Sequence, residues 1–251
     1  MKTGTREWSD SSVNIQRGCE HGCRYCYARY NAVERFKYCT MDQWQKPVID
    51  NKKVDKHYSR KKGIIMYPTT HDITPDNISQ YLCVLRKLLD AGNKVLIVSK
   101  PHFKCISLIC ECYDDYRKQI TFRFTIGSTS DDVLKFWEPH APGLSERLAC
   151  LIYAFKRGFA TSVSCEPYLD PYVSYIYSAT QEYITDSFWV GKLNDFDRRV
   201  DVAGATDDQL AKYVYYLRSA QDDSIVRSIY GQLNGRPFVR WKDSIRKVMG
   251  I

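Results

Sequence analysis

Apolar residues recur along the chain in two alternating rhythms. Between 77 and 90, Ile78, Tyr81, Leu82, Leu85, Leu88 and Leu89 fall at three- and four-residue intervals, the spacing that lines one face of a helix. Asp90-Ala91-Gly92-Asn93 follows; a glycine there ends a helix by taking the left-handed conformation. The stretch 144–157 has the same build and stops at Gly158. Short runs with strand character alternate with the helical ones, at 12–16, 64–67, 95–99, 120–127, 160–165 and 188–193. Helices are expected at 29–38, 75–91, 103–113, 144–157, 172–181 and 207–230. This alternation predicts an α/β protein with a parallel sheet. Six such units make a partial (β/α)6 barrel, three-quarters of the eight-stranded closed form. The polar, Lys-rich segment 41–62 is an excursion between the first two units. The chain is expected to divide into a barrel, 1–232, and a short C-terminal appendage, 233–251.

Length and composition fit that reading. The 251 residues match one barrel of ~250. A 44% apolar share excludes disordered and fibrous classes. No apolar run reaches the ~18 residues of a membrane span. Met1-Lys2-Thr3-Gly4-Thr5-Arg6-Glu7 lacks the apolar core of a signal peptide, so a cytoplasmic protein with no membrane partner is expected. The 37 basic and 29 acidic residues leave +8, a modest excess that suits a polyanionic partner. Ten cysteines in a reducing compartment must be buried apolar groups or metal ligands.

Three of them stand out. Gly18-Cys19-Glu20-His21-Gly22-Cys23-Arg24-Tyr25-Cys26 carries Cys19, Cys23 and Cys26 as C-x3-C-x2-C directly after the first strand. Thiolates favour iron–sulfur clusters or zinc. A structural zinc site needs four ligands, and the fourth would have to be His21, Cys39 or something distant. A [4Fe–4S] cluster also normally takes four thiolates; three leave one iron open to an external chelate. The residues alone leave both readings standing.

The spacing, the aromatic Tyr25 before the last cysteine, and the position after a first strand resemble the radical S-adenosylmethionine (radical SAM) superfamily. Later runs extend the likeness over most of 7–195, in particular to the spore photoproduct lyase-like branch and its short phage-type relatives. They are Met66-Tyr67-Pro68-Thr69-Thr70-His71-Asp72, Val98-Ser99-Lys100-Pro101, Phe122-Arg123-Phe124-Thr125-Ile126-Gly127-Ser128 and Trp137-Glu138-Pro139-His140. The resemblance implies a [4Fe–4S] cluster on Cys19, Cys23 and Cys26, S-adenosylmethionine as cosubstrate, and an external one-electron reductant such as flavodoxin or ferredoxin. It implies that Tyr25 lies near the adenine, and that Thr70, His71 and Asp72 meet the methionyl amine. Ser99 and Lys100 would meet the carboxylate or ribose, as would Thr125 and Ser128. All follow one logic: residues at the carboxyl ends of barrel strands converge on one face. One departure matters. The lyase branch carries a hydrogen-donating cysteine in a Cys-Thr-Ser-Asp run where this chain has Thr69-Thr70-His71-Asp72. A threonine O–H is too strong a bond for that donation, so a rearrangement or isomerisation fits better than repair.

Among the other cysteines, Cys105, Cys110 and Cys112 read as buried structural thiols in a helix. Cys165, ending the fifth strand, is the cysteine expected to face the substrate. Two basic clusters remain: Lys52, Lys53, Lys56, Arg60, Lys61 and Lys62, and a C-terminal set of Arg236, Arg240, Lys242, Arg246 and Lys247 interleaved with Phe238 and Trp241. Phosphates attract such cations and exposed bases stack on such rings. The resulting expectation is a lyase- or isomerase-type radical SAM enzyme that modifies a nucleobase in DNA. The alternatives are a radical SAM enzyme for a small metabolite or peptide, and a non-enzymatic metal-binding nucleic-acid module.

Overall fold

The computed structural model describes residues 3–251. Its strands are β1 (Ser11–Ser12), β2 (Gln16–Arg17), β3 (Val48–Ile49), β4 (Ile64–Met66), β5 (Lys94–Ser99), β6 (Ile120–Thr125), β7 (Ala160–Cys165), β8 (Ser187–Val190) and β9 (Val239–Trp241). Seven form one parallel sheet in the order β1-β4-β5-β6-β7-β8-β9. Parallel neighbours need crossovers, and the helices Ile78–Asp90, Phe103–Cys112, Leu144–Lys156 and Val173–Thr180 supply them. Buried strand residues such as Ile97, Phe122, Val163 and Phe188 join Leu85, Leu88, Ile109 and Leu151 of the helices in one apolar core. Among the described residues no helix is long and apolar enough to cross a membrane.

The sheet therefore has seven strands where six were expected. The segment from 233 is not a mere appendage: β9 pairs with β8, and Val239 is buried. A three-residue strand is too short to show period-two alternation, which is why the pattern missed it. The first expected strand, 12–16, divides. β1 joins the sheet, while β2 turns away to pair antiparallel with β3. The expected long helix 207–230 is also broken, with a π-helical turn at Leu210–Tyr215 and a new helix beginning at Asp223. Gln221 sits at the break and accepts from the Leu193 amide at 2.9 Å, tying it to the end of β8. Cys105 and Cys110 are buried as expected, whereas Cys112, the last residue of the helix, is exposed.

A smaller apolar cluster of Ala28, Ala32, Cys39 and Trp44 supports the cysteine loop from beneath, with Cys19 and Cys26 packed on it. Gly18 makes this possible. Its φ is +87°, and a Cβ there would lie 2.4 Å from the Trp44 carbonyl oxygen. That same oxygen accepts from the Cys19 amide at 3.0 Å. The excursion thus returns to hold the loop in place.

Candidate active site

The carboxyl ends of the strands open into a cavity of about 530 Å³, within the range of small-molecule sites. Cys19, Cys23 and Cys26 line one end of it. All three are free thiols. Cys26 Sγ accepts from the Arg29 amide at 3.4 Å and so starts the helix Tyr27–Arg29. Burial pushes the Cys19 thiol up to about 12, with Asp72 adding to it, and raises Cys23 well above its ordinary value. The bare chain therefore disfavours thiolates at Cys19 and Cys23, and a bound cationic group would be needed to ionise those two. Among the described residues no three His, Cys, Asp or Glu side chains group around a single ion. A cluster binds each thiolate to a separate iron, so its ligands need no common centre within reach.

Asp72 locks the adjoining loop. Its Oδ1 accepts from the Ile73 amide at 2.9 Å and from the Ser99 hydroxyl, and its Oδ2 from the Lys100 amide at 2.9 Å. His21 Nδ1 stands 3.4 Å from Oδ2. Burial works to raise this carboxyl, but hydrogen bonding and charge from His21, with Lys100 and Ser99, hold it below the ordinary carboxylate range. Asp72 thus joins the end of β4, the end of β5 and the cysteine loop. Its oxygens are occupied by protein groups, as is the Ser99 hydroxyl. Asn14 fixes the preceding turn, with its Oδ1 accepting from the Thr69 and Thr70 amides at 2.8 and 3.0 Å.

Two lining groups are less engaged. His71 is buried, and neither ring nitrogen has a partner. Burial lowers it to about 4, so it is neutral near pH 7. Lys100 Nζ lies 4.0 Å from Glu138 Oε1 and 5.6 Å from the centre of the Tyr25 ring. Tyr25 donates its hydroxyl to Glu138, whose other oxygen receives Arg147 NH2 at 2.5 Å. Arg147 also donates to the Pro142 and Thr125 carbonyls at 2.7 and 3.0 Å. Through this chain the cysteine loop is bolted to β6.

No protein-family model matches the chain, and no curated protein matches it in sequence. Solved structures do match. A spore photoproduct lyase complexed with dinucleoside spore photoproduct aligns at 15% identity over 92% of this chain and 75% of that one, with a TM-score of 0.55. Streptococcus suis SuiB bound to its precursor peptide SuiA aligns at 11% identity over 96% of this chain, with a TM-score of 0.53, and this chain spans only 50% of it. The chain shares with both the fold of a partial α/β barrel.

In that barrel, Tyr25, Thr70, His71, Asp72, Ser99, Lys100 and Thr125 all reach the cavity together with the three cysteines. Two expected residues do not. Ser128 is fully buried below the cavity, where its hydroxyl accepts from the Ser130 amide at 2.9 Å. Cys165 lies in the apolar core, and burial raises its thiol well above the ordinary value. Side chains alternate along a strand, so the cavity meets its neighbours Ser164 and Glu166 instead. Lys242, expected on an exposed DNA-binding segment, is 1% exposed and ion-paired with Glu7 at 3.0 Å and Glu166 at 3.3 Å. Sequence reasoning passed over Trp8, Ser164, Glu166 and Lys192, which also line the cavity. The alternation at the end of β7 was the available signal for Ser164 and Glu166. Nothing local marks Trp8, which ends the short turn Gly4–Glu7 just before β1.

Proposed function

We propose that this chain is a radical SAM enzyme of lyase or isomerase type acting on a nucleobase, modified or not, in DNA. The observation that carries the reading is the cavity end where Cys19, Cys23 and Cys26 meet. They have the superfamily spacing, uncommitted thiols, and an unpartnered His71 and a loosely paired Lys100 beside them. The donor set suits a [4Fe–4S] cluster with one open iron. Such a cluster, when reduced by a flavodoxin- or ferredoxin-type partner, supplies the electron that cleaves S-adenosylmethionine to a 5′-deoxyadenosyl radical able to take hydrogen from a substrate.

The chain's own groups do the rest. Lys100 offers a cation to the methionyl carboxylate. His71, neutral, offers a ring nitrogen to a polar group of the cosubstrate. Thr70 and Thr125 offer hydroxyls, and the Tyr25 ring, held by Glu138, is available to the adenine. Asp72 and Ser99 keep these groups in register. Thr69 in place of the lyase branch's cysteine supports a reaction that closes without a thiol donor at that position. The DNA reading is supported by the exposed basic set Lys52, Lys53, Lys56, Arg60, Lys61 and Lys62. Ten free cysteines suit a reducing cytoplasm.

Anaerobic reconstitution tests the proposal. About four irons per chain, a brown chromophore and dithionite-dependent SAM cleavage are expected. Cys19→Ala, Cys23→Ala and Cys26→Ala should each lose the chromophore, and Cys39→Ala, altered in the supporting apolar cluster, should keep it. Mass spectrometry of host DNA after turnover identifies the product. SAM cleavage stimulated by a peptide but not by DNA would overturn the substrate class.

A further inference from the structure

The cysteine loop has an outer face as well as the one toward the cavity. Behind it runs the segment 30–48, whose buried Cys39 and Trp44 pack with Ala28 and Ala32 against Cys19 and Cys26. No residue of 30–48 lines the cavity. Yet this segment carries three large apolar side chains to the surface: Phe36 is 61% exposed, Tyr38 56% and Val48 54%. Single exposed apolar groups need no explanation, but these are gathered. Val48 pairs with Arg17 across the β2–β3 ladder. Arg17 in turn lies within electrostatic reach of Tyr38: partial desolvation raises the Tyr38 hydroxyl, Cys39 adds to the rise, and Arg17 opposes it. Next to Lys37 on its other side, the Phe36 ring has the Arg35 guanidinium 5.0 Å from its centre.

The rim of this patch is basic. Arg17, Arg35, Lys37 and Lys46 are exposed, and none is ion-paired among the described residues. Of the segment's two acids, Glu34 is held by Arg29 at 2.7 Å, which leaves Asp42. Lys37 has a φ of +52°, in the left-handed region that glycine takes at lower cost, so a cation stands here against its backbone preference. A basic rim selects an acidic partner. A few apolar side chains inside a charged rim match the small, transient class of interface to which electron-transfer encounters belong. The position narrows the partner further. Electron tunnelling falls steeply with distance and runs best through packed protein. Cys39, next to Tyr38, belongs to the apolar layer on which Cys19 and Cys26 rest. A carrier entering by the cavity would compete with the cosubstrate for space, whereas one on the outer face would not.

We propose that the outer face formed by Arg17, Phe36, Lys37, Tyr38, Lys46 and Val48 docks a small acidic one-electron carrier protein, whose electron reaches the cysteine loop through the layer of Cys39 and Trp44. The need for an electron follows from the radical SAM reading; its place of entry follows from this surface. The carrier is oxidised by one electron, the cluster assigned to Cys19, Cys23 and Cys26 is reduced by one, and no atom is transferred. Phosphates would also meet these cations, but would gain nothing from Val48 or from a place behind the cysteines.

The test uses the reconstituted full chain and two purified probes, an acidic flavodoxin and an acidic [2Fe–2S] ferredoxin. Calorimetry at low salt should show binding of at least one, with an affinity that falls as salt rises. Combining Arg17→Glu, Lys37→Glu and Lys46→Glu should weaken that binding roughly 10-fold or more, since complementary charge contributes ~10–10³ in association rate. The same variant should keep its brown chromophore and its dithionite-driven SAM cleavage while KM for the reduced carrier rises. Lys37→Gly relieves the left-handed backbone and so keeps the fold; it should weaken carrier binding roughly 2- to 5-fold, the scale of one exposed charge pair. Binding of neither probe, or unchanged affinity in the variants, would overturn the proposal. So would dithionite-driven cleavage that falls in step with carrier-driven cleavage, or a loss of affinity for duplex DNA in place of the carrier. Carrier binding is read without turnover, so failure of the enzyme reading shows separately, as absence of dithionite-driven SAM cleavage in the wild type.

Discussion

Glu138→Gln isolates one charge at the joint between the cysteine loop and the barrel. The glutamine keeps an oxygen for the Tyr25 hydroxyl and nearly the same volume. What it removes is the anion facing Arg147, whose side chain is 0% exposed, as is that of Glu138. The guanidinium would remain buried with only the Pro142 and Thr125 carbonyls for compensation. Breaking a buried pair from one side costs ~3–5 kcal/mol. For a chain of this size each kcal/mol lowers Tm by roughly 2–4 °C, so a fall of about 6–20 °C is expected in thermal unfolding of the metal-free protein. The effect belongs to the charge, so Glu138→Gln with Arg147→Met should be less destabilised than the sum of the two single changes, because a pair replaced together leaves no orphan ion. Urea titrations of the four proteins in the cycle measure that coupling. A single-variant loss under about 1 kcal/mol, or strict additivity, would show that the pair does not hold the loop.

Lys100→Ala should weaken SAM binding to the reconstituted protein by roughly 10- to 150-fold, as for loss of one charge-assisted bond; unchanged affinity by calorimetry removes Lys100 from the cosubstrate site. Burial raises Glu166 from 4.5 to about 7. A raised acid contributes stability that is complete below pH 4.5 and lost as pH rises through 7, by at most about 3 kcal/mol. Urea unfolding of Glu166→Gln across that window should show a flatter decline than wild type, and parallel profiles would refute the assignment. Arg236 and Arg240 are exposed, so neutralising both should reduce the salt slope of DNA binding by up to about 1.4–1.8. Lys242→Ala should instead lower Tm, because its ammonium is buried between carboxylates. An unchanged slope in the double variant would remove the C-terminal segment from the DNA surface.

Periodicity was enough to determine that β4 to β8 and the helices between them alternate as an α/β barrel, because each buries a continuous face that must be written locally. The C-x3-C-x2-C motif was equally local: its ligands lie within eight residues, close enough for one turn to gather them. Tertiary structure decided what depends on distant partners. Short β9 exists because β8 offers it an unpaired edge, and the break at Gln221 exists because Leu193 needs an acceptor. Cys165 and Glu166 are adjacent in sequence, but the pleat sends one into the core and the other into the cavity. Lys242 looks like a surface cation until Glu7, 235 residues earlier, and Glu166 close around it. A charge in sequence carries no sign of its solvation; only the fold determines whether water or a carboxylate stands opposite.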